Sequence, residues 1–126
     1  MTPARIVLVE DERIIALDLA NSLRSLGHAV VAQVVDAAGA IAAVQAWQPD
    51  LLLVDIHLRG PVDGIEAARL IRERHGVPCI FMSAYAEAET RARAASAAPL
   101  AYLTKPFELA ELAACIAAAL ARREPA

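Results

Sequence analysis

The chain predicts an α/β fold: an open, doubly wound sheet of five parallel strands with helices on both faces. Three observations lead there. Leu51-Leu52-Leu53-Val54 is apolar at every position and ends in a single carboxylate, Asp55. A strand with no polar face must be covered on both faces, which is the habit of parallel sheets packed between helices. Short β-like runs alternate five times with helix-length stretches, and crossovers of that length join parallel strands by right-handed connections. Finally, 126 residues suit a single domain over residues 1–126.

Composition narrows the class further. The apolar share of 58% is inflated by 30 alanines, which favour helix more than they fill a core. No apolar run reaches the ~20 residues that span a bilayer, and the amino terminus lacks a basic-then-apolar leader. A cytoplasmic protein without membrane insertion is expected. Cys79 and Cys115 lie far apart with no second ligand at metal spacing, so buried free thiols are expected. A net charge of -3 without a basic cluster argues against direct nucleic-acid binding. No separate output domain is visible.

The elements follow in order. Ile6 to Val9 form the first strand, which runs into Glu10-Asp11-Glu12. Over residues 13–26, Ile15, Leu19, Leu23 and Leu26 recur at helical spacing, and Gly27 suits a left-handed helix end. Residues 28–35 are a valine-rich second strand, and Asp36 is a good N-cap for the alanine-rich helix that reaches Trp47 and stops at Pro49. Trp47 is expected to pack. The third strand delivers Asp55, and a loop over residues 56–62 carries Gly60-Pro61.

Asp63-Gly64-Ile65-Glu66 has the form of a capping box and opens a helix closed by Gly76. Residues 78–82 are the fourth strand, which ends at Ser83. A weaker helix over residues 87–98 is supported by possible Glu87/Arg91 and Glu89/Arg93 pairs and stopped by Pro99. Residues 100–103 are the fifth strand, and Lys105-Pro106 is the turn beyond. Leu109, Leu112, Ile116 and Leu120 carry the last helix, whose Arg122 and Arg123 suit its negative end. His28 and His75 beside helix-ending glycines are compatible with the helix dipole, and Phe107 anchors the last helix.

Parallel strands finish on one edge, where ligands of such sheets bind. Glu10, Asp11, Asp55, Ser83 and Lys105 therefore become neighbours. Two carboxylates ~4 Å apart repel by about 4 kcal/mol at an effective dielectric near 20, so a cation must sit among them. Lys105 supplies one charge, and the hard oxygen donors favour Mg²⁺ for the other. Such a site suits phosphoryl transfer to a carboxylate, with Ser83 donating to a phosphoryl oxygen.

At Leu8-Val9-Glu10-Asp11-Glu12, Leu53-Val54-Asp55-Ile56, Asp63-Gly64, Met82-Ser83-Ala84 and Tyr102-Leu103-Thr104-Lys105-Pro106-Phe107, the chain resembles the receiver domain of bacterial two-component response regulators. The resemblance runs from Ile6 to about Leu120 and includes the stand-alone, chemotaxis-type members. It implies a flavodoxin-like strand order 2-1-3-4-5. It also implies that Asp55 accepts a phosphoryl group from a sensor histidine kinase or phosphotransfer protein. Asp11, Asp55 and the backbone carbonyl of His57 would bind Mg²⁺, with Glu10 acting through water. Lys105 would bridge to the phosphoryl group, and Pro106 would be cis.

On phosphorylation, Ser83 and Tyr102 would switch the face made by the fourth helix, fifth strand and fifth helix. That face would meet a downstream protein target as a monomer or weak dimer. His57 and Tyr85 occupy the positions that tune loss of the phosphoryl group, and their bulk implies slow autodephosphorylation. Catalysis would be limited to the protein's own phosphorylation and dephosphorylation. The chain departs from the chemotaxis-type pattern in a loop one residue longer after Asp55, in Arg59 where proline is common, and in Ala98-Pro99-Leu100-Ala101 before the fifth strand.

Three other readings compete. A Mg²⁺-dependent aspartyl-phosphate phosphatase would want a general acid where His57 stands, and a cap domain. A nucleotide or flavin binder would want a glycine-rich loop where Glu10-Asp11-Glu12 stands. A constitutive interaction module of the same fold would not need every phosphorylation position filled.

Overall fold

The structure is a computed structural model that describes residues 3–84 and 87–123. Five parallel strands, β1 (Arg5–Val9), β2 (Ala29–Val34), β3 (Leu51–Asp55), β4 (Cys79–Ser83) and β5 (Ala101–Thr104), alternate with five helices. These are α1 (Arg13–Ser25), α2 (Ala37–Trp47), α3 (Gly64–His75), α4 (Ala88–Ala95) and α5 (Leu109–Arg123). The sheet order is β2-β1-β3-β4-β5, the doubly wound order expected.

Period-two alternation sorts the strands' side chains into two cores. Val7, Val9, Leu52, Val54, Cys79 and Phe81 face α2, α3 and α4, where Ala40, Val44, Ile65, Ala68, Ile71 and Ala94 meet them. Ile6, Leu8, Leu51, Leu53, Ile80 and Met82 face α1 and α5, against Leu19, Ala20, Leu23, Leu112 and Ile116. Every residue of β3 and β4 is buried, so both strands are covered on both faces. Val9 pairs with Val54 and Asp55 with Met82, which brings the strand ends level at one edge.

Helix boundaries follow local chemistry. Asp36 accepts from Gly39 N at 2.8 Å to cap α2, and Asp63 accepts from Glu66 N at 3.0 Å to cap α3. The capping box is half made, because the Glu66 carboxylate turns to Arg69. Gly76 ends α3 with φ 68°, as expected of a left-handed C-cap. In α2 that role falls to Gln48, with φ 45°, one residue before Pro49. Arg5 secures this end by donating to the carbonyls of Gln48 at 2.9 Å and Trp47 at 2.6 Å. Trp47 does not pack as expected; it is half exposed at the last turn of α2.

Three further expectations change. Ile15 lies partly exposed, and Ala16 and Ala20 share the inner face of α1 with Leu19 and Leu23. Arg93 pairs with Asp63 at the start of α3 and feels Glu89 only at longer range, while Arg91 lies over the Tyr102 ring, 4.4 Å from its centroid. His28 is buried and accepts the Ala4 N–H on Nδ1 at 3.0 Å, so it closes the edge between β1 and β2 as a neutral group and has no part in complementing a helix dipole. Burial holds its imidazole below the usual histidine range.

Both cysteines are free thiols. Cys79 is fully buried, which pushes its thiol up to about 12, and Cys115 is half-buried. Among the described residues, no helix is long and apolar enough to cross a membrane.

Candidate functional site

The carboxyl edge gathers the predicted residues because each follows, or ends, a buried strand. Glu10 comes directly after β1, with its N–H donated to Val34 O at 3.0 Å, and its side chain is buried. Asp55 is the last residue of β3, and Ser83, fully buried, is the last of β4. Lys105 leaves β5 with its N–H on Ser83 O at 2.8 Å, and its peptide bond to Pro106 is cis, as expected.

From there the Lys105 ammonium reaches inward, donating to Glu10 Oε1 at 2.7 Å and Asp55 Oδ2 at 2.8 Å. The other oxygen of Asp55, Oδ1, accepts the His57 N–H at 2.8 Å. Both oxygens of the carboxylate are thus fixed in direction.

The electrostatics match this geometry. Burial raises the Glu10 carboxyl above its ordinary range against the pull of the Lys105 hydrogen bond, and the Asp55 charge adds to the rise. Burial alone would lower the Lys105 ammonium, but its hydrogen bonds and charge pairing with Asp55 and Glu10 outweigh that and raise it. Lysine therefore stays charged, and one partly buried cation faces a cluster of acids.

Oxygens of Glu10, Asp11 and Asp55 converge within 4.8 Å of one another. Asp11 Oδ2 also accepts the Arg59 N–H at 3.2 Å and lies 3.4 Å from Arg59 Nε. Three carboxylates against the partly buried Lys105 ammonium and the exposed Arg59 guanidinium still leave an excess of negative charge, and every converging donor is a hard oxygen. That set fits a small divalent cation such as Mg²⁺.

Ser83 and His57 meet at this edge: His57 Nε2 lies 3.2 Å from Ser83 Oγ. Sequence reasoning assigned His57 a backbone contact and bulk, and gave no signal for this side-chain bond. Tyr102 lies on β5 opposite Phe81, half-buried against the core beneath α4, with Arg91 across its ring. The expectation for Tyr85 lies outside the described residues.

The structure also explains Gly64, which the sequence marked only as part of a motif. Its N–H donates to Ile56 O at 2.9 Å, and a Cβ there would stand 2.1 Å from the carbonyl oxygen of Asp55. Only glycine lets the first turn of α3 rest on the backbone of the acid-bearing strand.

Beside the cluster, Ile15, Asp18, Leu19, Ala84, Lys105, Pro106 and Phe107 line an open groove of about 430 Å³. Ile14 and Leu17 are exposed on the adjoining helix α1.

A doubly wound sheet whose carboxyl edge holds an acid cluster closed by one lysine is the arrangement that the receiver-domain resemblance implied. The family model for the response regulator receiver domain matches residues 6–117, and the chain belongs to that family. Among its relatives, the transcriptional regulatory protein PdtaR of Mycobacterium tuberculosis is 33% identical over 120 residues, covering 95% of this chain and 58% of PdtaR. TcrA of the same organism is 39% identical over 122 residues, covering 96% of this chain and 47% of TcrA. The chain thus spans about half the length of the curated relatives it matches.

Two solved structures cover nearly all of it. The signal receiver domain of a modulated diguanylate cyclase from Desulfovibrio desulfuricans G20 superposes with a TM-score of 0.90 at 32% identity, covering 97% of each chain. The receiver domain of the PhyR response regulator from Erythrobacter litoralis gives 0.84 at 32% identity, covering 100% of this chain and 97% of that one.

Proposed function

We propose that Asp55 accepts a phosphoryl group from a phosphohistidine of a sensor histidine kinase or phosphotransfer protein, and that the chain works as a cytoplasmic phosphorylation switch. In the transfer, a carboxylate oxygen of Asp55 attacks phosphorus, a P–O bond forms and the P–N bond to the donor histidine breaks. Lys105 neutralises the charge gathered on the transferring group, and the Ser83 hydroxyl donates to one of its oxygens. Asp11, Asp55 and the His57 carbonyl would hold Mg²⁺, with Glu10 acting through water. The bound ion would supply further neutralisation of phosphoryl charge.

The observation that carries this reading is the fixing of both Asp55 oxygens, one by Lys105 and one by the His57 N–H. The exposed apolar face of α1 beside the groove offers the phosphodonor protein a surface next to the acceptor. Ser83 and Tyr102 relay the charged state to the face formed by α4, β5 and α5, which binds an unidentified protein target as a monomer or weak dimer. His57 and Tyr85 tune loss of the phosphoryl group.

Incubation with a small phosphodonor and Mg²⁺, read by intact mass, tests the reading. A gain of one phosphoryl group is expected in the wild-type chain and none in Asp55→Asn. No gain in the wild type, or an equal gain in the variant, overturns it.

A further inference from the structure

The bond between His57 and Ser83 constrains the hydroxyl that the proposed reaction needs. A serine hydroxyl has one proton to donate and two lone pairs to accept with. Ser83 Oγ lies 3.2 Å from His57 Nε2, and Ser83 is fully buried at the end of β4. The backbone of the same histidine is pinned to the acceptor, with its N–H on Asp55 Oδ1 at 2.8 Å. One residue therefore bridges the end of β3 and the end of β4 at the reacting carboxylate. If the hydroxyl gives its proton to the imidazole, none is left for a phosphoryl oxygen on Asp55.

Building on the assignment of Asp55 as phosphoryl acceptor, we infer that His57 is a positioning residue that donates Nε2–H to Ser83 Oγ and so commits the serine proton to the phosphoryl oxygen. The chain His57 Nε2–H to Ser83 Oγ–H to phosphoryl oxygen consists of two hydrogen bonds in series, each polarising the other. No covalent bond changes. A neutral imidazole carries one N–H, so the relay selects the Nε2–H tautomer and leaves Nδ1 as the acceptor.

Beryllofluoride, a stable mimic of a phosphoryl group on a carboxylate, tests this at saturating Mg²⁺ with the wild type, His57→Ala, His57→Gln, Ser83→Ala and the double variant His57→Ala with Ser83→Ala. His57→Ala is expected to weaken beryllofluoride binding about three- to tenfold, the range of one neutral hydrogen bond. His57→Gln, whose amide also donates, is expected to stay within about twofold of the wild type. In the Ser83→Ala background, His57→Ala is expected to change affinity by less than about twofold, because the serine hydroxyl that the imidazole orients is gone. The ¹⁵N shifts of His57 in the beryllofluoride complex are expected to show the Nε2–H tautomer.

Equal losses in both serine and alanine backgrounds, no loss in His57→Ala, or an Nδ1–H tautomer in the complex would each overturn the inference while leaving Asp55 as acceptor. A wild type that does not bind beryllofluoride removes the acceptor assignment and this inference with it.

Discussion

Adding one methyl group at Gly64 probes how tightly α3 and the acid-bearing strand are joined. The Cβ of Gly64→Ala would lie 2.1 Å from the Asp55 carbonyl oxygen and 2.9 Å from both the Asp55 carbonyl carbon and Ile56 Cα. Close carbon–oxygen contacts in proteins begin near 3.3 Å, so helix and strand must part by about 1.2 Å. Both obstructing groups are backbone, which cannot rotate aside as a side chain would.

Overpacking of this kind costs about 1–3 kcal/mol. At ~4 °C per kcal/mol for a chain of this size, the melting temperature should fall by about 4–12 °C. The functional loss is expected to be larger, because a displacement of about 1 Å at a reacting group costs on the order of 100-fold in rate. Thermal melts by circular dichroism give the first quantity, and the rate of mass gain from a small phosphodonor gives the second. A variant that melts within about 1 °C of the wild type and reacts within about twofold of it would refute the close-approach argument.

Two other perturbations address charge. Lys105→Met leaves acids that converge within 4.8 Å without their ammonium, a repulsion of about 3.5 kcal/mol per pair at an effective dielectric of 20. Tighter Mg²⁺ binding by calorimetry and slower phosphorylation are expected together; weaker Mg²⁺ binding would contradict the charge balance described. His28, neutral and buried, has a folded pKa below its unfolded value near 6.5, so its contribution to stability is full above about pH 6.5 and is lost as pH falls through the folded value. Urea midpoints at pH 7.5 and 5.5 should show the wild type losing ground to His28→Gln on acidification, and parallel profiles would exclude this role.

The edge cluster was legible because its chemistry is local to each strand end. An apolar run followed by an acid, a hydroxyl or a Lys-Pro names both the element and its polar tip, and parallel pairing then brings the tips together. Strand β3 is the clearest case, since burial of all its residues follows from its four apolar residues and short length. The helices were harder to orient. Alanine carries little signal of facing, so Ala16 and Ala20 of α1, and Ala40 and Ala43 of α2, took inner positions that counting larger residues does not reveal.

Long-range polar partners were illegible for a different reason. Spacing within a helix suggested Glu89 for Arg93, but the guanidinium finds Asp63, 30 residues away, because the fold lays α4 beside the start of α3. The His57–Ser83 bond and the crowding at Gly64 likewise depend on how two segments approach in space, which no local pattern encodes.

The link from Arg93 to Asp63 bears on how firmly α4 is seated. This helix has eight residues and buries one of them, Ala94, so little apolar area resists its displacement. Two cationic arms help to hold it, Arg93 on Asp63 and Arg91 over Tyr102, both at solvated sites where such contacts are weak. The helix is moored, not embedded, and added salt should slacken the Arg93 mooring while the sheet stays fixed. That line is made fast to the cap of α3, whose next residue, Gly64, rests on the backbone of Asp55. A shift in the first turn of α3 therefore moves the anchorage of α4 as well.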